Sequence, residues 1–593
     1  MHEKFSARAC LALSLFLPVI VLLIWHSHSN FYVVFDDGEY WHQSYSLLRK
    51  LQSGEYGWKD VYYFAEGRPT TNSIYGLAAL SLTGWGLEKS AKLLLSMFLA
   101  LFSMGIFLFV RKVTLSPAWA LVISLWVCLQ ANYFVTAQIF MSELPYLAYL
   151  AVACYAYSSS NQLEKKIPSL VAAFFAALGI CSRPAEALFL FGLLGIALAV
   201  VQMKNEHLRL RSFAPGAIAM ATAAIIISLF TDFHSHRPQL GLYPLFGVFL
   251  ALFFSGYFFN VTRERNLNFA LGIGTLTLTA WFLPRVNQLK SWFQAGTFFN
   301  EINAGDFFDP PQLLAAAEYI WDVFNSVAGP QLLFFSLLIA IALLREKKLR
   351  AGSWIWISLF IFICAALPGS FVRNVGARNA VDRYYLGPLL LLHVSIGCSI
   401  WNLNRTTIGK SLLRKFLCAC VVALVILNHL LIFNYIYFQK ISLAHYFQKH
   451  IWLQRAHERA SIRNGLHYGI EGTEKLSRII PNGKAKILFT GPVGKDSVEG
   501  IFSMLNLRSL EKNHGWEIVP GMLMSPKTFS KKRQNLKDNF QYVLIGPVTK
   551  GLPAAHLLPE VSKFPLFGAF ELPIGHENDG RPKIVRLEVY RIR

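Results

Sequence analysis

Long apolar runs alternate with basic clusters along this chain, and that alternation limits the fold more than any other feature. Apolar runs of roughly 15–20 residues match the length a helix needs to cross a bilayer. The chain has 593 residues, 54% of them hydrophobic and 15% charged. Length alone would suggest several soluble domains, but the composition specifies a polytopic α-helical membrane protein. The predicted spans number about thirteen. They cover residues 9–26, 92–110, 117–134, 144–158, 167–182, 185–203, 213–230, 242–260, 268–283, 330–344, 351–367, 384–401 and 416–437. The clusters Arg111-Lys112, Lys165-Lys166, Lys204 to Arg211, Arg263 to Arg265, Arg345 to Arg350 and Arg405 to Lys415 fall in every second loop. Lys and Arg are retained on the cytoplasmic side, so these loops and the N-terminus are read as inside. The net charge of +22 is then a topology signal rather than a nucleic-acid footprint.

The first apolar run is too long for a signal-peptide core, and Ile24-Trp25-His26-Ser27-His28 offers no small-x-small cleavage site. It reads as an uncleaved first span. The transmembrane part is expected over residues 1–437, with long outer loops at 27–91 and 284–329. The second of these is rich in Phe and Trp at both ends, which suits interfacial anchoring. After Tyr437 the chain turns polar. A helical stretch within 438–475 and strand-like runs at 485–490, 542–545 and 584–592 predict a soluble extracytoplasmic α/β domain over 438–593. Its basic cluster Lys531-Lys532-Arg533 suits either solvent or anionic headgroups. All eight Cys lie in or beside apolar segments and form no CxxC pattern, so no disulfide framework or zinc site is expected.

Charged residues on the outer side are the candidates for chemistry. Asp36, Asp37 and Glu39 open a predicted amphipathic helix over 37–52. Asp36-x-x-Glu39 fits a capping box. A cap needs one acid, however, and adjacent residues do not share a helix face, so Asp36 and Asp37 have different jobs. Downstream, Arg68 precedes Pro69 in Glu66-Gly67-Arg68-Pro69-Thr70-Thr71-Asn72. Its planar donors suit a phosphate, or it is an exposed Arg before a turn. Glu143 stands where an outer turn enters a span, a costly place for an acid. Arg183 sits in a tight outer hairpin, to snorkel toward headgroups, pair with Glu186 or bind an anion. Arg373, Arg378 and Arg383 cluster outside, against the usual bias, with Tyr384 and Tyr385 following. That pattern favours an anion site. The His234-x-His236 pair with Asp232 is compatible with a metal, but spacing fixes no further ligand. No cofactor is predicted, and a divalent metal is the weaker alternative.

These motifs together resemble the GT-C class of integral-membrane glycosyltransferases. The similarity is greatest to the branch of protein O-mannosyltransferases, lipid A aminoarabinose transferases and related bacterial enzymes. Asp36-Asp37-Gly38-Glu39-Tyr40 resembles the Asp-Glu-x-x-Tyr pattern in that branch's first outer loop, with Asp37 in place of Glu. Arg68-Pro69 is similar to its basic-Pro element, though the cation is Arg and the spacing is looser. Ser142-Glu143, Arg183-Pro184 and Arg383-Tyr384-Tyr385 also have counterparts. The resemblance implies a polyprenyl-phosphate sugar donor and an inverting single displacement. It implies Asp36 and Asp37 in the catalytic site, with Asp36 as general base, and Glu39, Tyr40 and Glu143 as substrate contacts. It implies Arg68, Arg183, Arg378, Arg383 and Tyr384 at the donor phosphate. The acceptor would be a glycan, glycolipid or protein hydroxyl.

Three other classes fit parts of the pattern: a flippase or transporter of lipid-linked saccharides, a polysaccharide polymerase or ligase, and a phosphoethanolamine-type transferase. A transporter would place acids at mid-membrane, whereas here charges crowd the outer surface. The sequons at Asn260 and Asn404 fall on the cytoplasmic side, which favours the inner membrane of a bacterium.

Overall fold

The structure, a computed structural model, describes residues 2–28, 35–63, 71–84, 86–137, 142–204, 261–285, 385–402, 415–426, 465–481, 483–490, 515–520, 540–545, 564–576 and 582–592, with isolated positions at 207–218, 259 and 357–362. Predicted spans at 213–230, 242–260, 330–344 and 351–367 lie wholly or mostly outside these residues, as does most of the outer loop 284–329.

Helices dominate the first part. They are α1 (His2–His28), α2 (Phe35–Gln52), α3 (Trp58–Tyr63), α4 (Asn72–Thr83), α5 (Leu87–Thr114), α6 (Pro117–Cys128), α7 (Ala131–Thr136), α8 (Glu143–Ser159), α9 (Lys166–Ser182), α10 (Pro184–Lys204), α11 (Thr262–Phe282) and α12 (Leu386–Asn402). A further apolar helix, α13, covers Lys415–Ile426. Among the described residues, four segments are long and apolar enough to cross a membrane: Ser6–Ile24, Leu87–Thr114, Glu186–Met203 and Thr262–Arg285. The chain is a multi-pass helical membrane protein.

The predicted span 117–134 is two helices. Pro117 starts α6 in a position where its missing N–H costs nothing, and Ser116 caps it by accepting from the Trp119 amide at 3.3 Å. A turn at Leu129-Gln130 then separates α6 from α7. The predicted helix over 37–52 begins at Phe35 instead, so Asp36 lies within the first turn rather than at the cap. Carboxylates are favoured there by the helix dipole.

Packing sets the directions of the helices. Contacts between α5 and α8 step from Phe98–Tyr149 to Gly105–Ala151, so the two run the same way. A Cβ on Gly105 would stand 2.8 Å from the Ala151 Cβ, so glycine permits this close approach. Both helices therefore end at the same end of the bundle, where α5 carries Arg111 and Lys112 and the α8–α9 turn carries Lys165 and Lys166. There Arg263 pairs with Glu164 and hydrogen-bonds His207 at 2.8 Å, and Asn266 Nδ2 donates to the Leu163 carbonyl at 2.7 Å. Four of the sequence's basic loops thus share one end. Toward the middle of the bundle, three hydroxyls meet. Ser14 of α1 lies 3.0 Å from Ser103 of α5 and 2.9 Å from Ser124 of α6, and the latter two are 2.7 Å apart. Such contacts join apolar helices where lipid supplies no hydrogen bonds.

The C-terminal part holds helix α14 (Gly465–Ile479) and a five-stranded sheet of order β2-β1-β3-β5-β4. The strands are β1 (Ala485–Thr490), β2 (Trp516–Pro520), β3 (Tyr542–Ile545), β4 (Leu566–His576) and β5 (Pro582–Arg591). β1 pairs in parallel with β2 and β3, and β5 is antiparallel to β3 and β4. Leu476 of α14 packs with Ile487, Trp516, Leu544, Leu572 and Leu587 on one sheet face. Leu488, Val543 and Ile545 are buried on the other, so β3 and the Ile487–Phe489 part of β1 are apolar on both faces.

Gly105→Ala is expected to destabilise the bundle by about 1–3 kcal/mol through overpacking against α8. Gly192→Ala, with open space around it, should be neutral or slightly stabilising. Thermal unfolding of both variants in detergent checks the contrast.

Candidate functional site

At the bundle end opposite the basic turns, four segments far apart in sequence come together. The first is the region of α2 to α4. Asp36, Asp37 and Glu39 occupy the first turns of α2, and their side chains lie outside the described residues. The rest of α2 is firmly held. Tyr40, Trp41, Tyr45, Leu47 and Leu48 are buried. Ser44 Oγ lies 2.7 Å from the Tyr40 carbonyl and 2.9 Å from the Ser73 carbonyl, and its one O–H is shared between these two acceptors, linking α2 to the start of α4.

The second segment is the start of α8, and the third is the α9–α10 corner. Arg183 Nη1 forms an ion pair with Glu143 Oε1, and Arg183 Nη2 lies 3.1 Å from Glu186 Oε1. The side chains of Arg183 and Glu143 are 6% and 3% exposed, that of Glu186 22%. Burying this much charge is tolerable only because a planar guanidinium satisfies two carboxylates at once. Ser142 Oγ, 3.5 Å away, points a donor at the other Glu143 oxygen. The backbone fixes the corner: the Arg183 amide donates to Gly179 and its carbonyl accepts from Ala187, each at 3.0 Å, so one residue closes α9 and opens α10. Next to it, Ser182 Oγ shares a 2.9 Å hydrogen bond with Thr71 Oγ1 at the start of α4. Tyr149 donates to Tyr75 at 2.8 Å, linking α8 to α4 just beneath.

The fourth segment is the end of α11. Arg285 is buried, stacked 3.7 Å from the centre of the Trp281 ring. Its Nη1 donates to the Trp281 carbonyl at 2.9 Å and its Nη2 to the Tyr62 carbonyl of α3 at 2.8 Å. Tyr62 Oη in turn donates to the Ala280 carbonyl at 2.5 Å. Cys181, two residues before Arg183, is close enough to feel the charge of Arg285. Arg285 has no carboxylate partner among the described residues. A buried cation held only by neutral oxygens and a ring retains a strong preference for an anion.

The structure therefore joins two predicted site residues, Glu143 and Arg183, which sequence alone treats as separate. It gives Arg183 acidic partners from within the protein. Tyr40 is buried beneath the acidic turn. Arg68, Arg378, Arg383 and Tyr384 lie outside the described residues, as do Asp232, His234 and His236. Among the described residues, no cluster of three or more His, Cys, Asp or Glu could hold a metal. In the sequence Arg285 is a lone Arg after an apolar run, which looks like a boundary residue. Asn72, buried at the start of α4 with no hydrogen-bond partner among the described residues, carries no distinguishing signal in the sequence either. Glu143→Gln should cost about 3–5 kcal/mol by leaving Arg183 short of a buried counter-charge. Glu186→Gln, at the more exposed carboxylate, should cost about 1 kcal/mol or less. Unfolding in detergent measures both.

No protein-family model matches this chain, and no curated protein matches it significantly. Among solved structures, it is similar to ArnT from Cupriavidus metallidurans in the apo state, at 10% identity over 96% of each chain with a TM-score of 0.36. It is similar to ArnT from the same organism bound to undecaprenyl phosphate, at 13% identity over 96% of each chain with a TM-score of 0.36. It is also similar to arabinofuranosyltransferase AftD from Mycobacteria, at 13% identity with a TM-score of 0.45, covering 99% of this chain and 40% of that one.

Proposed function

We propose that this chain is a GT-C-type membrane glycosyltransferase that moves a sugar from a polyprenyl-phosphate donor to an extracytoplasmic hydroxyl. One observation carries the reading. Residues that the charge pattern assigns to four different outer segments touch one another at a single bundle end: Thr71 with Ser182, Glu143 with Arg183, and Tyr62 with Arg285. The acidic turn of Asp36 belongs to the same assembly through the Ser44–Ser73 bond. A transferase acting on a lipid phosphate needs a base and an anion-holding wall on one membrane face, and these residue types supply both.

In the proposed step, the acceptor oxygen attacks the anomeric carbon as its proton passes to the Asp36 carboxylate. The bond from that carbon to the phosphate oxygen breaks, and the sugar inverts. The polyprenyl phosphate leaves with the electron pair, and arginine side chains hold its charge. Arg285 is the described candidate for that task, with Arg68, Arg378, Arg383 and Tyr384 as further donors. Arg183 then acts differently: it holds Glu143 in place, and Glu143 with Glu39 and Tyr40 contacts substrate. Because no sugar oxygen has to be protonated as it leaves, one carboxylate base suffices. The first-turn position of Asp36 favours its charged form and weakens it as a base, and the nearby phosphate opposes that effect. Asp37 orders the same turn. The positive-inside rule puts the N-terminus inside and this end, with residues 438–593, outside the inner membrane of a bacterium.

Membranes carrying the protein and supplied with a labelled polyprenyl-phosphate sugar test the reading. Asp36→Asn should lower transfer by about 10²–10⁴-fold while leaving the folded protein intact. Full activity in that variant would remove Asp36 as the base. Movement of lipid-linked sugar across proteoliposomes without any transfer would favour a flippase.

A further inference from the structure

The bundle end that gathers the basic turns is built more closely than retention of charge on one side requires. There the α8–α9 turn, the segment 207–212 and the start of α11 are fastened to one another. Arg263 pairs with Glu164, and its Nη1 donates to His207 Nδ1 at 2.8 Å. Asn266 Nδ2 donates to the carbonyls of Leu163 at 2.7 Å and Glu164 at 3.0 Å. Ser212 Oγ donates to Glu264 Oε1 at 2.6 Å and accepts from the Arg209 amide at 3.3 Å. Glu164 and Glu264, the described acids of this junction, are thus engaged by the protein itself. Beside them, Lys165 and Arg209 are exposed and have no acidic partner among the described residues.

His207 adds a directed donor. A guanidinium only donates, so His207 Nδ1 accepts and the ring proton is on Nε2. That N–H bonds nothing among the described residues, and the residue is only half-buried. Lys165 follows Glu164 directly and Arg209 stands two residues after His207, so three donors flank the Arg263 contacts from two segments. An apolar flank begins beside them. Ile167, two residues after Lys165, is 74% exposed, and Val261, two before Arg263, is 48% exposed. Phe174, two turns further along the same face of α9, is exposed as well. Cations followed by exposed apolar side chains on a helix that enters hydrocarbon match a molecule with a charged head and an apolar tail. A soluble phosphate would gain nothing from that flank. We propose that this junction binds an anionic phospholipid of the adjacent leaflet, with Lys165, His207 and Arg209 at its phosphate oxygens and an acyl chain along Ile167 and Phe174. The site does not depend on the sugar-transfer reading.

Native mass spectrometry of the full chain in detergent tests the site, with phosphatidylglycerol, phosphatidylcholine and glycerol 3-phosphate as probes. The wild type should bind phosphatidylglycerol about 10-fold more tightly than phosphatidylcholine. Lys165→Gln combined with Arg209→Gln should weaken phosphatidylglycerol binding by roughly 10- to 30-fold, and each single variant by about 5-fold. Arg111→Gln combined with Lys112→Gln removes the same charge from the end of α5 and should leave binding unchanged. Thermal unfolding gives a second readout: phosphatidylglycerol should raise the midpoint of the wild type and not that of the Lys165→Gln, Arg209→Gln protein. Equal losses in the two double variants would overturn the proposal in favour of general attraction to the basic end. Glycerol 3-phosphate binding as tightly as the intact lipid, or phosphatidylcholine binding as tightly as phosphatidylglycerol, would also overturn it.

Discussion

The Glu143–Arg183–Glu186 ion cluster is the interaction on which this bundle end depends. It joins the start of α8 to the corner between α9 and α10, and the same corner reaches the first outer segment through Ser182 and Thr71. At the edge of a bilayer, a guanidinium this buried would be costly alone. Two carboxylates offset that cost, and they also fix its direction. The corner then needs no further element: Arg183 closes one helix and opens the next, and its side chain points back into the protein. The helices around it can tilt only if this knot moves.

Much of the architecture was legible in the sequence, because lipid removes alternatives. With no water to satisfy backbone groups, an apolar run has to be a helix, and α5, α8, α9, α10, α11 and α12 all lie on predicted spans. The errors have local causes. The break between α6 and α7 falls at Leu129-Gln130, where Gln130 and Asn132 are too few polar residues to lower the hydropathy averaged over a whole span. In the sheet, β1, β3 and β5 were visible as runs rich in β-branched residues. β2 is only five residues long and ends on Pro520, and β4 carries Gly568 and Pro573 with register irregularities beside both. Those two strands look like loops to a pattern of alternation or continuous hydrophobicity.

The site was half legible. Glu143 and Arg183 stood out one by one, because charged residues next to hydrocarbon are expensive. Their pairing did not, since forty positions separate them and only tertiary packing brings them together. Arg285 and Asn72 were hidden for a different reason. Each belongs to a residue type that is common where it occurs, an Arg at the end of a span and an Asn at the start of a helix. What distinguishes them is the lack of a suitable partner, and that is visible only when the surroundings are known.

The serine contact among α1, α5 and α6 has a consequence for how the chain is built. Ser14 is separated from Ser103 by 89 positions and from Ser124 by 110. During synthesis the first helix therefore enters the bilayer long before either partner hydroxyl exists. Until α5 and α6 follow, α1 is free to rotate about its axis, and its one serine in this contact has only its own backbone to bond. Arrival of the third hydroxyl closes the triangle and fixes that rotation. Two helices of the bundle must thus be inserted before the first can lock in place, and the opening segment of the chain is a late component of the assembled structure.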